Sequence, residues 1–135
     1  MADVIIVDNK YITIKFLPDK KMIHHTVHQP ISGQNLRDAL TAGFNALQHY
    51  GVSKWLSDDR KNGPMSDEDR DWGAENINRR SLEAGWKYWA LVVPQALVAA
   101  GSMVPTIEAM FDLGLRMMVF STVEEAFEWL DQFDD

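Results

Sequence analysis

Hydrophobic positions early in the chain follow the short period of strands. Residues 4–7 form an apolar run, Asp8-Asn9 is turn chemistry, and residues 11–16 alternate with a period of two. Pro18-Asp19-Lys20 marks a second turn before residues 22–28, so three short antiparallel strands are expected. From Ser32 the period lengthens. Leu36, Leu40, Phe44 and Leu47 recur at helical spacing, and Gly51 stands just past the end, where a left-handed cap is favoured.

Residues 52–56 form the next apolar run, after which Ser66 opens a polar helix that Gly85 closes. Residues 86–93 are almost continuously apolar, the pattern of a strand buried on both faces. Pro94, Gly101 and Pro105 interrupt a further helical stretch, whose ordered part carries Ile107, Met110 and Phe111 before Gly114. Residues 115–120 read as another continuous strand. Thr122-Val123-Glu124-Glu125 is a capping box, and Val123, Ala126, Phe127, Leu130 and Phe133 make the apolar stripe of a last helix. A meander followed by strand–helix units predicts an α/β fold: one mixed sheet, antiparallel at its N-terminal end, with the last three strands parallel and about four helices. No linker or repeat divides the 135 residues, so one domain over 1–135 is expected.

Composition narrows the function. A net charge of −7, without a long Lys/Arg run, argues against nucleic acid, whose phosphates call for a basic face. The chain has no Cys, which excludes disulfides, thiolate zinc sites and thiol nucleophiles. Its apolar runs are far too short to span a bilayer, and the N-terminus lacks a secretory pattern, so a soluble cytoplasmic protein is expected.

"MIHHTVH" has the look of a metal box. On a strand, however, His24 and His28 share a face about 13 Å apart, at ~3.3 Å per residue, while His25 points to the other face. Solvated strand histidines and no metal are the expectation. Asp67, Glu68 and Asp69 follow Ser66, where acids satisfy a positive helix end, and Ser66-x-x-Asp69 is a capping-box variant. Asp58-Asp59-Arg60 follows a strand directly, at the edge where open α/β sheets bind ligands. Asp59 and Arg60 are therefore candidate binding residues, either toward a polar ligand or paired with each other. No hydroxyl or imidazole is placed beside these acids by sequence, so acid–base catalysis is the weaker reading. Trp72, Trp86, Tyr88 and Trp89 gather around the polar helix. On a strand Trp86 and Tyr88 share one face and Trp89 takes the other.

The stretches "SDDRKNGPMSDEDRDW" and "AGWKYWALVVP" resemble the small bacterial SpoIIAA-like family, allied to the STAS domain of sulfate transporters and anti-sigma factor antagonists. The order of elements is similar over most of the chain. The resemblance implies an α/β layer domain, with wider relatives that carry lipids. In anti-sigma antagonists a serine at the start of the second helix is phosphorylated and switches partner binding. The nearest equivalent is Ser66, although "PMSDED" replaces the Asp-Ser-Ser-Gly context and the loop is enlarged by Lys61-Asn62-Gly63-Pro64.

The leading expectation is a non-enzymatic regulatory or interaction module without a cofactor. It would bind a protein partner through the 58–72 loop and helix 66–84, with Asp59, Arg60, Ser66 and Trp72 as site residues and Ser66 as a phospho-acceptor. The alternative is a carrier of a small amphipathic or lipid-like ligand, its cavity lined by Met103, Met110, Met117 and Met118. A third reading is an enzyme using Asp59 and Arg60. A homodimer is compatible with any of them.

Overall fold

The computed structural model describes residues 2–133. Three strands open the chain: β1 (Val4–Asp8), β2 (Ile12–Leu17) and β3 (Met22–Val27). Tight turns join them, so neighbours pair antiparallel. Asn9 makes the first turn by accepting from the N–H groups of Tyr11 and Ile12 at 2.8 and 3.0 Å. Helix α1 (Gly33–Tyr50) then carries the chain back, and β4 (Lys54–Asp58) pairs parallel with β3, as a helical crossover requires. Gly51 ends α1 in the left-handed region at φ 62°, the predicted cap.

The next crossover begins as helix α2 (Asp67–Gly73), continues through a π-helical turn (Ala74–Asn78) and ends as α3 (Arg79–Glu83). Strand β5 (Tyr88–Val92) follows, then α4 (Gln95–Ala100), α5 (Val104–Asp112), β6 (Arg116–Phe120) and α6 (Val123–Leu130). The six strands lie in sequence order, and the parallel run starts at β3, one strand earlier than periodicity suggests. The stretch interrupted by Pro94 and Pro105 is two helices: Pro94 precedes α4, Gly101 caps it at φ 65°, and Pro105 sits in the first turn of α5, where its missing N–H costs nothing.

Because strand side chains alternate, the sheet builds two cores. On one face Ile12, Ile14, Ile23, Val27 and Trp55 meet Leu36, Ala39 and Leu47 of α1, and Trp86 packs with them. On the other, Leu17, Met22, Leu56, Ala90 and Val92 meet Ala126 and Leu130 of α6. Helix α6 packs over β4, β5 and β6, which leaves the same face of β1–β3 lined by Thr13, Lys15, His24 and Thr26. Trp86 lies before β5 and packs against Trp89 at 5.3 Å, whereas Tyr88 stacks on Phe133 at 4.0 Å. This reverses the expected grouping, because the strand begins at Tyr88 and alternation does not extend back to Trp86. Among the described residues, no helix is long and apolar enough to cross a membrane.

Candidate functional site

The C-terminal ends of β3 and β4 lie side by side, with Thr26 opposite Asp58. One residue beyond β4, the N–H of Asp59 still donates to the carbonyl of Val92 at 2.9 Å, so the backbone stays extended and consecutive side chains diverge. Asp58 is buried, and Arg60 grips it bidentately, with Nε to Oδ1 at 2.9 Å and Nη2 to Oδ2 at 2.8 Å. Burial pushes the Asp58 carboxyl up. The hydrogen bonds and charge of Arg60 outweigh burial and hold it below the usual carboxylate range.

Asp59 takes a different partner. Its Oδ1 lies 2.7 Å from Nε2 of His25, whose Nδ1 lies 3.0 Å from Nε1 of Trp55. An indole N–H can only donate, so Nδ1 accepts and the imidazole proton sits on Nε2, donating to Asp59. The expected pairing of Asp59 with Arg60 is thus absent: Arg60 goes to Asp58, and Asp59 goes to a histidine 34 positions earlier. The picture of solvated histidines also fails for His25, which is buried, while His28 is exposed as expected. Both His25 nitrogens are engaged, so this imidazole ties β3 to the end of β4 and has no free lone pair for a substrate.

The loop after Asp59 is fastened further on. Asn62 donates from its N–H to the Asp59 carbonyl at 3.0 Å and accepts from the N–H of Ile31 at 3.1 Å. Ser66 caps α2, its Oγ accepting from the N–H of Asp69 at 3.1 Å. The Asp69 side chain does not return to Ser66 as a capping box would. Buried, it accepts from the N–H of Gly33 at 3.0 Å, with Nη2 of Arg37 3.5 Å away, and so serves the start of α1, where Ser32 makes no side-chain cap. Arg37 also lies over the ring of Trp72 at 5.4 Å. Arg60, Lys61, Gly63, Pro64, Met65, Ser66, Asp67 and Glu68 face outward.

A shallow groove of about 270 Å³ lies elsewhere, on the open half of the α6 face, between Lys15, Asp19, Lys20, His24 and Phe127. Burial, followed by the neighbouring His25, lowers the pKa of His24 to about 4, so the ring is neutral at pH 7. His28 Nε2 lies 2.7 Å from Thr13 Oγ1, which donates to Asp8 at 3.0 Å. Among the described residues, no group of three His, Asp or Glu side chains could hold a metal ion. The four methionines line no common cavity: Met117 is buried with Met103 and Met110 packed in the same cluster, while Met118 is exposed on the opposite face of β6.

Asp59, Arg60, Ser66 and Trp72 therefore lie along one loop and helix start, though not around one pocket. His25, Asn62 and Asp69, which position them, carry no local signal, because each acts on a segment more than thirty positions away. Compared with family models, curated proteins and solved structures, the chain matches none.

Proposed function

We propose that the chain is a non-enzymatic regulatory or protein-interaction module that engages a partner through the 58–72 loop and the outer face of the helical segment 67–83. The observation that carries this reading is the fastening of the loop at three points, Asp59 to His25, Asn62 to Ile31 and Asp69 to Gly33, while its outer side chains stay exposed. A surface already held in shape loses little conformational entropy when a partner docks. Helices α2 and α3 and the turn between them bury only Asp69, Ile77 and Ser81, and expose charges of both signs, as a polar contact surface would. The π-helical turn adds support, since such turns concentrate at functional sites. The resemblance of residues 57–72 to the SpoIIAA-like family points the same way, and the exposed Ser66, although outside an Asp-Ser-Ser-Gly context, is the nearest equivalent of the serine phosphorylated in the allied anti-sigma antagonists.

The test uses outward side chains that take no part in the three fastening contacts. A Lys61→Glu, Met65→Ser double variant should melt with the wild type yet lose the partner captured by tagged wild-type protein from its own host. Capture of the same partner at undiminished yield would defeat the proposal.

A further inference from the structure

Helix α6 covers one half of its sheet face, and the half it leaves open is polar. Register places Thr13 of β2 opposite Thr26 of β3, and Lys15 opposite His24. Side chains two apart on a strand share a face, so these four stand in a square array, with cross-strand Cβ atoms about 4.5–5.5 Å apart. Together with His28 they line a hollow of about 170 Å³. Each of these side chains carries an O–H or N–H, and none is a carboxylate. Thr13, Lys15, His24 and Thr26 are half-buried.

The donors are not spent on one another. Thr13 gives its proton to Asp8 at 3.0 Å, so Nε2 of His28, 2.7 Å away, donates to Thr13, and this fixes the ring at the rim. Thr26 has only a long contact with His24, 3.5 Å from Oγ1 to Nε2. Among the described residues the Lys15 ammonium enters no ion pair. A half-buried ammonium without a counter-ion, ringed by hydroxyl and imidazole groups, is complementary to an oxyanion. The nearby acids are engaged: Asp8 by Thr13, and Asp58, opposite Thr26, by Arg60.

Lys15 and His24 also line the adjoining groove of about 270 Å³, where Leu17 and Phe127 supply apolar surface and Asp3 and Asp19 supply negative charge. Lys20 in this groove is taken up by Asp131 at 2.9 Å. The two hollows thus differ in character: one suits an anion, and the other suits an uncharged group and repels a second anion.

We propose that the open half of the α6 face binds a small phosphate monoester, its phosphoryl oxygens held by Lys15, Thr26 and His24 and its uncharged body lying along Leu17 and Phe127. A tetrahedral oxyanion presents acceptors in several directions, which suits donors converging from two strands better than a planar carboxylate does. The net charge of −7 disfavours a polyanion, so the ligand is small. This site lies apart from the outer surface of the 58–72 loop and does not rest on the function proposed for it.

Phenyl phosphate is a suitable probe, followed through the histidine ring signals in NMR spectra of the full chain at constant pH. It should shift His24 and His28 saturably and leave His49, at the end of α1, unmoved; phenol at the same concentrations should shift none of them. Inorganic phosphate should bind more weakly than phenyl phosphate. Lys15→Gln should raise the dissociation constant about tenfold or more, as the loss of a charged hydrogen bond implies, whereas Lys61→Gln should leave it unchanged. The absence of a saturable shift, undiminished affinity in Lys15→Gln, or inorganic phosphate binding as tightly as phenyl phosphate would overturn the proposal. If Lys15→Gln melts early, the wild type decides by itself, and an equal response to phenol and phenyl phosphate rejects an oxyanion site.

Discussion

Asp58 and Asp59 are neighbours whose carboxylates leave the strand on opposite faces, one to a half-exposed arginine and the other to a buried histidine. Their mutational signatures should differ accordingly. Asp59→Ala leaves the Nε2–H of His25 without its acceptor in a buried position, and such a loss costs roughly 1–3 kcal/mol. Chemical denaturation of Asp59→Ala should show a drop in that range, and a curve superimposing on wild type would mean that the His25 contact contributes nothing. His24 provides a pH signature on the other face. Its folded pKa of about 4 lies below the unfolded value of 6.5, so between these values the unfolded chain binds the proton more tightly. Stability is therefore whole above pH 6.5 and falls as pH drops toward 4, by at most about 3 kcal/mol at 1.36 kcal/mol per unit. Carboxylates titrate in part of this window as well. The measurable quantity is thus the difference between wild type and His24→Gln, which should shrink as the pH is lowered; a constant difference would show that the ring is not held neutral by its surroundings.

Among the elements, α1 and β4 are joined by a contact that only a glycine permits. A Cβ on Gly43 would run into Cη2 of Trp55 and lie 3.0 Å from its Cζ2. Trp55 is buried, tethered to His25 through Nε1 and packed near Trp86, so it has little room to yield. Gly43→Ala should gain up to about 1 kcal/mol of helix propensity and lose about 1–3 kcal/mol to overpacking. The net expectation is a lower melting temperature, and a higher one would mean that the indole shifts freely. The elements that periodicity exposed were those with unmixed patterns: alternation in β2, the helical stripe of α1, and the continuous apolar runs of β5 and β6. Trp86 was misplaced because an apolar residue before a strand looks like part of it. The junctions around the loop were illegible for another reason. Asp69 reads locally as the third residue of a capped helix, and nothing nearby says that its carboxylate will serve the start of α1.

At the scale of the whole molecule, the sequential order of six strands makes protection against solvent a function of position in the sheet. β2, β3, β4 and β5 are bonded to strands on both sides, and all five residues of β4 are buried. The helix α4 buries none of its six residues, and five charge-free apolar residues there do little to hold it down. Local opening should follow the same gradient, since few buried contacts mean a small free energy of opening. In native-state hydrogen exchange α4 should lose protection first and β4 last, at rates that approach global unfolding. If α4 outlasts β4, the exposed helix is held by contacts that its burial does not show.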